Sequence, residues 1–122
     1  MNEYQLGTVE ARFADIIWTH EPLSSSELAK MAEGELGWKK STTYTVLKRL
    51  CDKGIFKNEG GSVTSQITRD EFYALRSEKF VEETFEGSLP AFLAAFTSRK
   101  NLSSEDIAEL RRMVEEYDSR KE

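Results

Sequence analysis

Residues 39–68 read KKSTTYTVLKRLCDKGIFKNEGGSVTSQIT, and the stretch divides at Gly54. Before the glycine, Val46, Leu47 and Leu50 recur at helical spacing, which predicts a helix from about Lys40 to Lys53 with these three facing inward. Thr42, Thr45, Lys48, Arg49 and Asp52 are left for the opposite side, a face of small hydroxyls and charges. Gly54 is placed for a left-handed helix stop, with Ile55 packing back behind it. Beyond it, Ile55–Asn58 and Val63–Thr68 have strand character. Glu59-Gly60-Gly61-Ser62 between them supplies the glycines of a hairpin turn.

Upstream, Val9, Phe13, Ile16 and Ile17 share one face of a helix from about Thr8 to Thr19, with Thr8 as cap and Glu10 in the first turn. Pro22 ends it, because a proline disfavours helix in the residue before it. Ser24-Ser25-Ser26-Glu27 has the form of a capping box and opens a second helix with Leu28, Met31 and Ala32 inward; Gly34 and Gly37 break it. Three helices and then a hairpin is the order of a winged helix-turn-helix.

Downstream the chain reads as helical. Thr68 or Asp70 caps a helix to about Phe85. Gly87-Ser88 breaks it, and Pro90 sits in the first turn of a short helix carrying Leu89, Phe92, Leu93 and Phe96. Ser103-x-x-Asp106 starts the last helix, Leu102 and Ile107 form its hydrophobic staple, and Ile107, Leu110, Val114 and Tyr117 form its apolar stripe. The expected fold is mostly α with a small β-hairpin wing. Residues 1–69 are expected to form a winged-helix DNA-binding domain and 70–122 a helical dimerisation domain. The large apolar residues of the second part fit either a monomer core or a second copy. Two-fold symmetry favours the second copy, with Phe72, Leu75, Phe92, Leu93, Phe96, Ile107, Leu110, Val114 and Tyr117 on the shared face.

The net charge of −5 is unevenly spread. Residues 1–69 carry nine Lys/Arg and nine Asp/Glu, and residues 70–122 carry eight and thirteen. Within 39–57, Lys39, Lys40, Lys48, Arg49, Lys53 and Lys57 face only one acid, Asp52. This local positive stripe suits a phosphate backbone, though a solvated helix face has the same composition. The expected contacts are Lys40, Ser41, Thr42, Tyr44, Thr45, Lys48, Arg49 and Lys57. Ser41, Thr42, Tyr44 and Thr45 would stand toward base edges, Lys40 and Lys48 toward phosphates, and Arg49 toward either. Tyr44 also fits a core position. Trp18 and Trp38 read as packing residues. Lys57 and the Glu59–Ser62 turn would form the wing.

Enzyme chemistry has little to stand on. His20 is the sole histidine and Cys51 the sole cysteine, and there is no Gly-rich phosphate loop or metal-ligand cluster; no cofactor and no metal are expected. The polar start Met1-Asn2-Glu3-Tyr4 lacks signal-peptide form, no apolar run is long enough to span a membrane, and one cysteine permits no internal disulfide. A cytoplasmic location is expected. A winged-helix module that binds protein rather than DNA is the competing reading.

Several strings resemble the penicillinase-repressor (BlaI/MecI-type) family of bacterial winged-helix repressors. They are Leu6-x-x-x-Glu10 with Ile16-Ile17-Trp18, Ser41 through Leu50 followed by Lys53-Gly54, and Leu102-Ser103-x-Glu105-Asp106-Ile107-x-Glu109-Leu110. The resemblance implies a homodimeric repressor of a palindromic operator, of beta-lactam-resistance-type or unrelated genes. It also implies relief of repression by cleavage in the C-terminal half, triggered by a membrane sensor-protease system. The family's cut falls at an Asn–Phe bond, and the matching pair here is Ala95-Phe96. The cysteine cluster of the copper-responsive branch is absent.

Overall fold

The computed structural model describes residues 6–121, so the reading of Met1–Tyr4 lies outside the described residues. The elements run α1 (Thr8–His20), β1 (Leu23–Ser24), α2 (Ser25–Leu36), α3 (Lys40–Asp52), β2 (Phe56–Glu59), β3 (Ser62–Ser65), α4 (Arg69–Phe85), α5 (Leu89–Thr97) and α6 (Ser104–Lys121). This is a winged helix followed by a helical C-terminal part. Two compact units divide at Lys79/Phe80, inside α4. The boundary expected at 69/70 falls at the start of that helix, ten residues earlier.

In the first unit, local chemistry sets the helix ends. The cap of α1 is Gly7, one residue before the expected Thr8, because the Glu10 carboxylate reaches back to accept the Gly7 N–H at 3.2 Å. The capping box of α2 forms as read: Glu27 N–H donates to Ser24 Oγ at 3.0 Å, and Ser24 N–H to Glu27 Oε1 at 2.9 Å. Helix α3 ends in a Schellman motif. Gly54 has φ 82°, Ile55 N–H donates to Leu50 O at 3.1 Å, and Gly54 N–H to Cys51 O at 2.9 Å. Thr68, not Asp70, caps α4 by accepting the Glu71 N–H at 3.0 Å.

The sheet has the order β1-β3-β2, all antiparallel. Phe56 pairs with Ser65 and Glu59 with Ser62. Gly60 and Gly61 turn the hairpin with φ 59° and 90°, the two positive values a type I′ turn requires. Both strands begin or end one residue nearer the turn than expected, because the two-residue Gly60-Gly61 turn lets Glu59 pair with Ser62, and β3 stops at Ser65, short of the expected Thr68. Strand β1 was not anticipated. It pairs Leu23 with Val63 and Ser24 with Ser62, tying the start of α2 to the wing.

The core of this unit gathers Phe13, Ile17, Trp18, Leu28, Val46, Leu47, Leu50, Ile55, Phe56 and Val63. Trp18 packs on Phe56 at 5.1 Å between ring centroids and donates its indole N–H to Ile67 O at 3.0 Å. Trp38 packs on Phe13 at 5.0 Å. Val9, expected inward, is exposed: it stands in the first turn of α1, at the end of the face that Phe13, Ile16 and Ile17 bury.

Phe72 requires a correction. It was assigned to a dimer face, but it is fully buried in this core, 5.3 Å from the Trp18 ring. Helical periodicity marks it as apolar without saying which neighbour covers it. The winged helix uses it to anchor the first turns of α4.

The second unit holds the end of α4 with α5 and α6, and its described residues include none that are fully buried. Phe80, Phe85 and Phe92 contact one another edge to face at 5.6–6.1 Å. Ser88 caps α5 by accepting Ala91 N–H at 3.1 Å, and Ser103 caps α6 by accepting Asp106 N–H at 3.0 Å. Leu102, Ile107, Leu110 and Val114 line an open apolar groove along α6. Among the described residues, no helix is long and apolar enough to cross a membrane.

Candidate nucleic-acid interface

Helix α3 presents one face to the core and one outward. Thr43, Val46, Leu47 and Leu50 are buried. Lys40, Ser41, Thr42, Thr45, Lys48 and Arg49 are exposed, and Tyr44 is half-buried. Thr42, Thr45 and Arg49 stand three and four residues apart, so they share one stripe. Ser41, Thr45, Lys48 and Asp52 make a second, adjoining one. Seven of the eight expected contacts are thus on a single helix. The eighth, Lys57, sits on β2, exposed and 3.1 Å from Glu59.

The hydroxyls are not equivalent. Thr45 donates its proton to Ser41 O at 2.9 Å. Its oxygen therefore offers lone pairs outward, and its methyl is available for apolar contact. Such a group accepts from amino groups on base edges and meets a thymine methyl.

Most cations are already engaged. Lys48 Nζ lies 3.2 Å from Asp52 on its own helix. Lys40 Nζ stands 5.8 Å from the centre of the Tyr44 ring, a cation–π contact within one turn. Arg49 reaches across to α1, its Nη2 2.8 Å from Glu10 Oε2. Sequence reading assigned Arg49 to phosphate or base without seeing this partner.

Two further residues escaped the sequence reading. Ser26 and Lys30 of α2 line one depression with Lys40. Only a spacing of four residues on a helix already read for its cap and its core face could have signalled them. The Glu27 carboxyl titrates below its ordinary value because the Ser24 backbone and hydroxyl donate to the charged form. The Cys51 thiol is raised, first by burial and then by the adjacent Asp52, so it is a poor nucleophile. Among the described residues no cluster of His, Cys, Asp or Glu could hold a metal ion.

Three helices, a glycine-turned wing and an exposed polar face on the third helix define a winged helix-turn-helix of the kind that reads nucleic acid. Comparison with known proteins agrees with that class. The penicillinase repressor family matches residues 6–116, and the chain belongs to that family. It is 28% identical to the penicillinase repressor of Bacillus licheniformis over 121 residues, 96% of this chain and 94% of the relative. It is 21% identical over 115 residues to the methicillin resistance regulatory protein MecI of Staphylococcus aureus, covering 91% and 94%. MecI of Mammaliicoccus sciuri matches to the same extent. The family consists of DNA-binding regulators, not enzymes.

Proposed function

We propose that the chain is a cytoplasmic, homodimeric transcriptional repressor that recognises a palindromic operator, of the kind controlling beta-lactam-resistance genes. The observation that carries this reading is the exposed Ser41/Thr42/Thr45 face of α3, set beside a short wing. Hydroxyls at the N-terminal half of a recognition helix are positioned for base edges, with Lys40 and Lys48 for flanking phosphates. Residues of the second unit supply the dimer contact: Phe92, Leu93, Phe96, Ile107, Leu110, Val114 and Tyr117, joined by Leu75 at the end of the first unit. Several of these are large apolar side chains held in solvent, with Val114 66% exposed and Tyr117 57%. A monomer that left this surface in water would forgo about 25 cal/mol for each Å² buried.

Repression is relieved by cleavage at Ala95–Phe96, reached indirectly from a membrane sensor-protease. Both residues are exposed, on the nine-residue helix α5. Immunoblotting cells after beta-lactam exposure tests this step, and an undiminished 14.0 kDa band counts against it. The DNA-binding reading is tested by selecting random duplexes on the purified protein at two salt concentrations. Enrichment of a palindrome, with affinity falling as salt rises, supports it. Recovery of no preferred sequence refutes it, and points to a protein partner if binding to every duplex is also weak and insensitive to salt.

A further inference from the structure

The Arg49–Glu10 pair joins the last turn of the exposed polar helix to the first turn of α1. Glu10 is held at both oxygens: Oε1 accepts the Gly7 N–H at 3.2 Å, and Oε2 lies 2.8 Å from Arg49 Nη2. The carboxylate side chain is 23% exposed and the guanidinium 51%. The acid is therefore the fixed member, and the arginine is oriented by it. Arg49 also ends the stripe begun by Thr42 and Thr45. A guanidinium there, if released, would meet whatever backbone phosphate came near.

We propose that Glu10 is a specificity-setting positioning residue, withholding Arg49 from indiscriminate phosphate contact and fixing α3 against α1 in one orientation. The inference rests on α3 being the DNA-reading helix. Its logic is a difference of affinities. Releasing Arg49 adds a phosphate contact on any duplex. Loosening α3 from α1 matters only where hydroxyls must meet particular base edges. Removing the carboxylate therefore strengthens binding to the wrong sequences more than to the right one.

The test uses the full chain, the duplex most enriched by the wild type from a random pool, and a scrambled duplex of equal length. Glu10→Gln keeps an oxygen for the Gly7 N–H but removes the charge. It is expected to bind the scrambled duplex roughly two- to fivefold more tightly, the scale of a partly exposed ion pair. Its log-affinity against log-salt slope on that duplex should steepen by about one. The preference for the selected duplex should narrow. In an Arg49→Ala background, Glu10→Gln should change neither quantity. A purely structural role would lower Tm without steepening the slope.

An unchanged preference and slope in Glu10→Gln overturns the proposal. So does an equal effect in the Arg49→Ala background, which would make Glu10 a bulk-charge effect. Should Glu10→Gln fail to fold, Glu10→Asp retains the charge but draws it away from Arg49. A narrowed preference supports the proposal and an unchanged one overturns it. A wild type that prefers no duplex removes the DNA-reading role of α3 itself, a separate and recognisable failure.

Discussion

Truncating Phe72 to alanine separates a core role from an interface role at one position. The ring is fully buried, 5.3 Å from Trp18 and 5.4 Å from Tyr73, with the Arg76 guanidinium 5.6 Å from its centre. Removing a buried phenyl group forfeits its transfer energy and leaves a cavity, together about 3–5 kcal/mol. Small domains have roughly 5–15 kcal/mol in all, so the variant loses much of its stability. With urea slopes of about 1–3 kcal/mol per M, the midpoint falls by roughly 1–5 M. Trp18 lies against the missing ring and reports the transition by fluorescence, with circular dichroism as an independent probe. Glu78→Ala, on the same helix, exposed and outside both the core and the proposed dimer contact, is the control. Its unfolding free energy at fixed protein concentration should move by no more than about 0.5 kcal/mol. Measurements at two protein concentrations decide between the roles. A core residue gives the same loss at both. A Phe72→Ala loss below about 1 kcal/mol, or one confined to dimer dissociation, would return Phe72 to the interface.

Ser24→Ala should destabilise the protein by about 1 kcal/mol, measured by urea unfolding, because the Glu27 N–H loses its acceptor. The same box acts on the acid limb of a stability–pH curve. The folded Glu27 carboxyl lies below its ordinary 4.5, so its contribution is present above that value and lost as pH falls through the folded one; Glu27→Gln should flatten the curve there. Gly54→Ala meets no atom within 4 Å but must hold φ 82°, which should lower stability by roughly 1–2 kcal/mol in thermal unfolding. Salt dependence of duplex binding should correspond to fewer phosphates per protomer than the six cations of residues 39–57, because Lys48, Arg49 and Lys57 already face carboxylates; a slope that counts all six would refute the pairing.

What the sequence made legible was chiefly local. The Ser24 box, the Gly54 stop, the Gly60-Gly61 turn and the Ser103 cap each depend on residues within four positions, and each forms. Strand β1 was invisible because two residues carry no period. The strand ends slipped by a residue because two glycines, not all four residues from Glu59 to Ser62, make the turn, so Glu59 and Ser62 join the ladder. Phe72 was misassigned because apolar spacing identifies a buried face without naming its cover. In the candidate site, the outward stripe of α3 followed directly from the inward positions of Val46, Leu47 and Leu50. The Glu10 partner of Arg49 did not, since nothing in either helix alone brings them together.

That partner changes how an acidic chain with a short basic stretch is to be understood. Counted from sequence, residues 39–57 hold a surplus of cations that suggests binding driven by charge. In the fold, Lys48, Arg49 and Lys57 each lie within 3.2 Å of a carboxylate, and Lys40 stands over the Tyr44 ring. Exposed pairs of this kind are worth little to stability. Their larger consequence is to weaken nonspecific attraction to any phosphate backbone. What remains prominent is the hydroxyl stripe, where Thr45, with its proton committed to Ser41 O, offers an acceptor and a methyl but no donor. A surface so arranged gains less from the backbone and depends more on the bases, and a repressor choosing among many sites needs that balance.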